Sequence, residues 1–424
     1  MRFDSGGSKV RNVVILRKDI AFQNELWYNE TIISTRKIFT QSLNHLTQMR
    51  KRCAMSVFYI RDVEYNAEQI AKLTQIELFN TNIHCMRKSL FKYFPNNSFT
   101  DEKGNKHNYS HDAIRNNTVF LSSPSNFDDP YDCNVYVDYN EFALQRICYY
   151  ASLCGITVKP EWSYGTIAEK IAIKTYEHIS TGGKVTSLFE LDKNNALVHA
   201  HQEIFLLSLE NELLKTDASG ESYFKAIDHV INTEYNDMQK TANRFIVACF
   251  AQTPYSMLMW SHYAKYHQGF CIEYETPDYS DDNVDIYHNL FPVIYTDTRT
   301  PLTELSLSWN STGTLTDANL WDFYKYCLLS KSLDWKYQQE WRLISCDTLL
   351  TDSNYNCKFF KIKKVYLGNK MSAKDRLEII DICKSQGIPY TGVTIAPDQF
   401  NMRDCDILCE DCIRIKGYKS TLSK

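Results

Sequence analysis

Met259-Trp260-Ser261-His262-Tyr263-Ala264-Lys265-Tyr266-His267-Gln268-Gly269-Phe270-Cys271-Ile272-Glu273-Tyr274 is the stretch on which the reading of the fold turns. Trp260, Tyr263 and Tyr266 recur at three-residue steps, which predicts a short helix with an aromatic face. Gly269 stops that helix, and the apolar run Phe270–Tyr274 predicts a strand immediately after it. Core packing alone would explain the aromatics. A helix that also carries His262 and His267 and halts on glycine against a strand reads as the wall of a site.

Further strands are expected on both sides of this stretch. Leu90–Phe94, Thr118–Ser122, Phe245–Ala251, Phe291–Tyr295, Trp341–Ser345 and Lys364–Gly368 are rich in aromatic and β-branched residues. Tyr223–Met238 and Phe205–Leu214 carry apolar residues at three- and four-residue steps, so residues 140–245 form a largely helical block. Ala373–Gln386 is an amphipathic helix stopped by Gly387-Ile388-Pro389. The expected class is α+β, a mixed or antiparallel central sheet with a large helical insertion. Residues 1–85 read as an N-terminal extension, with a strand at Asn12–Lys18 and helical patterns at Thr35–Met55 and Ala67–Phe79. It could pack on the core or contact a protein partner. The Ser/Thr-rich Thr300–Thr316 is expected to be a surface loop.

The 424 residues are ample for a sizeable core, as one large domain or two ordinary ones. A formal charge of -4 argues against a strongly basic nucleic-acid binder. No apolar run reaches the roughly eighteen residues of a membrane helix, and the N-terminus lacks a signal-peptide apolar region, so a cytoplasmic location is expected. Fourteen cysteines without a secreted-scaffold rhythm suit a reducing compartment. Cys405, Cys409 and Cys412 could form a thiolate site, but a second spaced pair is missing and no metal is assigned.

Four motifs stand in order. Lys92-Tyr93-Phe94 comes first, then Val119–Pro124 leading to Asn126-Phe127-Asp128-Asp129-Pro130-Tyr131-Asp132. The Met259–Phe270 stretch is third, and Lys331 with Trp335-Lys336-Tyr337-Gln338-Gln339-Glu340-Trp341-Arg342 is last. This order resembles a bacterial family known as domain of unknown function 2971, over roughly Ser89 to Tyr390. The family's usual Phe-Asn-Asp-Pro reads Phe127-Asp128-Asp129-Pro130 here, and its Glu-x-Glu-Trp-Arg reads Gln338-Gln339-Glu340-Trp341-Arg342. The resemblance implies accessory genes such as toxins or phage-defence effectors.

Gln338-x-Glu340 at a strand edge resembles the catalytic pair of ADP-ribosyltransferases. That resemblance implies that Glu340 stabilises the oxocarbenium-like state as nicotinamide leaves NAD, and that Gln338 orients a protein or nucleic-acid acceptor. Lys92 and Tyr93, Ser122 and Ser123, then Glu340 follow the order of that fold's NAD-contacting strands, with Arg342 beside them. Trp260 and Tyr263 could stack a nicotinamide or adenine ring, and His262 could act as general acid or base. Each has a plainer alternative: an ion pair of Glu340 with Arg342 or Lys331, core packing for Trp260, and a backbone-bonded histidine. Alternation along a strand would put Gln338, Glu340 and Arg342 on one face. Two further readings compete with an NAD-cleaving enzyme. One is a non-catalytic module that binds a nucleotide or a phage component. The other is a metal-dependent nuclease in which the acidic group of Asp128, Asp129 and Asp132 binds a divalent cation with Glu340.

Overall fold

The computed structural model of the chain describes residues 56–85, 88–100, 106–191, 202–203, 206–212, 220–302, 317–345 and 355–405. The expected elements at Asn12–Lys18 and Thr35–Met55, most of the Thr300–Thr316 loop, and Cys409 and Cys412 lie outside them. The described chain is α+β and divides into two compact units. Of the described residues, one unit comprises those within 135–241 and 300–326, and the other those within 56–134, 242–299 and 327–405.

The first unit is helical. Asp138 caps the helix Tyr139–Leu153 by accepting from the Glu141 amide, and Ser163 caps Tyr164–Ser180 by accepting from Thr166. Gly220–Gln239 is the third long helix. Ile147, Ala151, Ile167, Ala168 and Ile231 are fully buried, as their helical spacing predicts. Arg146 is buried among them and donates to Glu234 from Nε at 2.8 Å and Nη2 at 2.7 Å. The Tyr150 hydroxyl donates to the same carboxylate.

The second unit carries the strands. Those before the helical block are β1 (Val57–Ile60), β2 (Val63–Asn66), β3 (Ser89–Phe94), β4 (Phe99–Thr100), β5 (Lys106–His107) and β6 (Thr118–Phe120). After it come β7 (Ile246–Phe250), β8 (Phe270–Glu275), β9 (Leu290–Pro292), β10 (Ile294–Thr296), β11 (Ser330–Ser332) and β12 (Trp341–Ser345). The last are β13 (Asn356–Lys358), β14 (Ile362–Leu367), β15 (Tyr390–Ile395) and β16 (Met402–Cys405). The sheets are ordered β16-β15-β14-β8-β3, β7-β12-β9 and β11-β10-β1-β2, with two-stranded pairs β13-β6 and β4-β5. Parallel pairs β14-β15 and β10-β11 make the architecture mixed. Residues 57–66, inside the expected extension, pair with β10 through β1.

Strands β3 and β8 bury apolar residues on both faces, with Ser89 and Glu273 as a buried polar pair at 2.6 Å. Leu90, Phe94, Phe270, Ile272 and Tyr274 join Phe250, Trp341 and Leu343 in the main core. Phe91, Tyr93 and Cys271 turn the other way and pack with Met259, Trp260 and Ala264. This is why the apolar residues of Phe270–Tyr274 do not simply alternate, Glu273 being the one charged residue among them.

Three expectations change. Phe291–Tyr295 is not one strand: β9 and β10 belong to different sheets, and between them the Val293 amide donates to the Glu340 carbonyl at 3.0 Å. The helical pattern at Ala67–Phe79 is two helices, Ala67–Lys72 and Gln75–Cys85, separated at the extended Leu73. The helix before Gly269 ends at His262, and Lys265, Tyr266 and His267 are all left-handed, with φ of 48, 53 and 70°.

Candidate functional site

The helix Met257–His262 starts where the Ser256 hydroxyl accepts from the Met259 amide at 3.4 Å. It buries Trp260 completely. The Trp260 indole N–H donates to the Pro254 carbonyl at 2.7 Å, and the ring packs edge-on to Tyr93 at 5.3 Å between centroids. With its faces covered, Trp260 has no surface on which to stack a ligand. The Tyr93 hydroxyl is engaged as well, donating to the Thr253 carbonyl at 2.7 Å.

The left-handed turn reverses the chain so that β8 can start at once. The His267 amide donates to the Trp260 carbonyl at 3.0 Å and the Gly269 amide to the Ala264 carbonyl at 2.8 Å. His267 is buried, with Nε2 3.2 Å from the Ser261 hydroxyl and Nδ1 without a partner among the described residues. His262 is exposed, and among the described residues it faces aromatic rings: Tyr263 at 6.3 Å, Trp335 at 6.2 Å and Tyr337 at 6.5 Å. The two histidines therefore sit in different environments and share no site.

Burial, reinforced by the nearby Lys370 charge, lowers the pKa of His267, and burial with Arg115 lowers that of His111. Neither value is depressed in the unfolded chain, where histidine titrates near about 6.5. As pH falls through that value the unfolded state takes up protons first, so stability is full above it and declines below. Melting temperature should drop between pH 7.5 and 5.5, as stability falls by up to about 1.4 kcal/mol per pH unit for each histidine. In His267→Gln the dependence should become shallower; an unchanged slope would show that His267 carries none of it.

The fourth motif converges on a closed ring of charge. Lys331 of β11 donates to Glu340 Oε2 at 2.6 Å and lies 3.0 Å from Asp132 Oδ2. Arg342 of β12 donates from Nε to Glu340 Oε1 at 2.7 Å and from Nη2 to both Asp132 oxygens at 2.7 and 2.8 Å. Arg342 Nη1 donates to the Leu328 carbonyl at 2.5 Å and meets the Cys133 sulfur at 3.1 Å. Two cations and two carboxylates thus neutralise one another, and none of the four side chains is more than 5% exposed. Burial by itself would raise the Glu340 pKa. Arg342 and Lys331 outweigh it and hold the carboxyl far below the usual range.

Gln338 is not on the strand but in the 3₁₀ turn Leu333–Gln338, followed by the left-handed Gln339. It still reaches the ring, accepting from Lys331 at 2.9 Å, and its amide donates to the Tyr263 hydroxyl at 2.8 Å. The Glu340 amide donates to the Tyr295 hydroxyl at 2.8 Å. Tyr263 therefore couples the third motif to the fourth. Asp132, at the end of the second motif, joins them from across the unit.

Of the other expected residues, Arg342 is fully buried with all three nitrogens bonded, leaving it no donor for a cofactor. Ser122 bridges to Val247, and its hydroxyl donates to the Ser123 carbonyl at 3.2 Å. Ser123 is near Ser125, with 2.9 Å between hydroxyls. Asp129 accepts from the Tyr131 amide at 2.9 Å, a loop interaction. Among the described residues no group of three or more His, Cys, Asp or Glu is placed to hold a metal. Nothing in the sequence spacing of Trp335 and Tyr337 marks them for binding. They become visible only once His262 is seen between them.

The chain is thus an α+β protein in which a neutral charge ring ties the sheet to a partly exposed aromatic patch. Residues 259–343, which carry Tyr263, Lys331, Gln338, Glu340 and Arg342, match a family model described as protein of unknown function (DUF2971). No curated protein and no solved structure matches the chain.

Proposed function

We propose that this chain is a nucleotide-recognition module, whose patch of His262, Tyr263, Trp335 and Tyr337 takes the flat ring of the ligand. The observation that carries this reading is the state of Glu340. Each of its oxygens is held by a cation, and the side chain is 4% exposed. A carboxylate that stabilises an oxocarbenium-like centre must present uncompensated negative charge to it. Here Lys331 and Arg342 already consume that charge, so Glu340 organises the site instead.

The patch has the chemistry for stacking. His262 and Trp335 meet at 72°, Trp335 and Tyr337 at 41° with 6.0 Å between centroids, and the Lys331 ammonium lies 5.4 Å from the Trp335 ring. A base slid onto such rings gains about 1–3 kcal/mol per stacking interaction. Calorimetric titration with adenosine and NAD tests the reading. Wild type should bind both, and Trp335→Ala should weaken both by about tenfold or more. Failure of wild type to bind any nucleoside or nucleotide would refute it.

One observation favours a second reading, in which NAD is the substrate and a protein or nucleic acid accepts ADP-ribose, as in a toxin or phage-defence effector. Lys92, Ser122 and Glu340 stand on three segments that all border β7: β3 through Phe91–Ala251, Ser122 through Val247, and the chain entering β12. The order expected of NAD-contacting strands is thereby brought together in space, although Glu340 is neutralised.

A further inference from the structure

The edge of β7 that faces away from β12 is shared by two segments with a break between them. At one end Ala251 exchanges both backbone hydrogen bonds with Phe91, at 2.9 and 2.7 Å. At the other Val247 exchanges both with Ser122, at 2.9 and 2.8 Å. Cys249 lies midway, where neither segment reaches, and its carbonyl accepts from the Lys92 ammonium at 3.2 Å. The Lys92 side chain has entered the split from β3, with the Phe250 ring 5.4 Å from Nζ.

Lys92 is half-buried, and this bond to the Cys249 carbonyl is the sole hydrogen bond of its side chain among the described residues. No carboxylate there lies within ion-pair distance of it, whereas Lys331 and Arg342 each have two. An ammonium has three N–H donors, so two are left over. Across the break, Ser122 and Asn126 add polar groups, the Asn126 amide donating to the Ser122 hydroxyl at 3.4 Å. For a half-buried cation with no carboxylate in contact, a bound anion is stabilising.

We propose that the split between β3 and Ser122 is a phosphate subsite, in which the Lys92 ammonium holds an anionic phosphoryl group. Resting on the nucleotide-recognition reading, it adds that the ligand is a phosphorylated nucleotide rather than a nucleoside. Burial lowers the Lys92 pKa, partly offset by Cys249 and Glu340, so an anion bound beside the amine would favour its charged form.

Titration of the full chain with inorganic pyrophosphate, adenosine and ADP separates the two claims. Wild type should bind pyrophosphate, and Lys92→Met should lower its affinity, and that for ADP, by about tenfold or more, with adenosine unchanged. Binding of adenosine without pyrophosphate would overturn the phosphate subsite and leave the aromatic patch standing. Binding of pyrophosphate without adenosine would do the reverse. Acetylation of Lys92 in wild type, followed by peptide mass spectrometry, needs no variant. Pyrophosphate should slow it at Lys92 selectively, and equal labelling with and without pyrophosphate would overturn the subsite.

Discussion

Arg342→Met is expected to destabilise the strand-bearing unit by about 3–5 kcal/mol, the largest effect of any single substitution in the ring. The guanidinium is fully buried and holds Asp132 by two bonds and Glu340 by one. Removing it leaves one excess negative charge among groups that water cannot reach, with only Lys331 to answer two carboxylates. The stranded charge, more than the missing hydrogen bonds, sets the size of the effect. Denaturant unfolding measures it, and the double variant Asp132→Leu with Arg342→Met separates the two causes. That pair leaves Lys331 and Glu340 matched, so it should be less destabilised than Arg342→Met alone. Additive or greater loss in the double variant would show that the ring is not the balanced unit described above.

Gly269→Ala is expected to cost about 3 kcal/mol or more, an overpacking loss at the high end because backbone stands in the way. A Cβ at Gly269 would lie 2.0 Å from the Phe94 carbonyl oxygen and 3.1 Å from the Ala264 Cα. Neither can swing aside as a side-chain tip would, since β3 and the left-handed turn are both fixed by backbone bonds. Gly368 shows the same close approach, 2.2 Å from the His267 carbonyl oxygen. The loss should appear as a lower thermal midpoint with the aromatic patch disordered. A Gly269→Ala protein melting within a degree or two of wild type would contradict the packing assigned to the turn.

Local pattern carries much of the fold. The mainly apolar run Phe270–Tyr274, the amphipathic pattern and stop of Ala373–Ser385, and the helical steps in 223–238 are legible because burial imposes its period directly on the sequence. Three features are not. Val293 has the same β-branched character as a strand interior, yet the chain changes sheets there, a choice made by its bond to the Glu340 carbonyl. Tyr266 and His267 fit a helical aromatic stripe, and only packing against β3 and Gly368 makes the left-handed path preferable. Alternation puts Gln338 on a strand, whereas the left-handed Gln339 separates it from β12.

At the site, the sequence marks Glu340, Arg342 and Lys331 but leaves open whether they react or pair. That depends on distances between segments more than two hundred residues apart, as between Asp132 and Arg342. Spacing along one motif cannot report them. The patch of Trp335 and Tyr337 is hidden for a related reason: its partner His262 comes from another motif.

The most direct test of a neutralised Glu340 is free nicotinamide released from NAD by purified wild type, without metal and with an acceptor-rich cell extract cleared of its own NAD-cleaving activity. The charge ring predicts that NAD binds and that nicotinamide stays at the level of the protein-free control. Release that scales with wild-type protein, and is lost in Glu340→Asp, which keeps the carboxylate charge, would contradict it. The Glu340 carboxylate would then have to leave the ring during turnover.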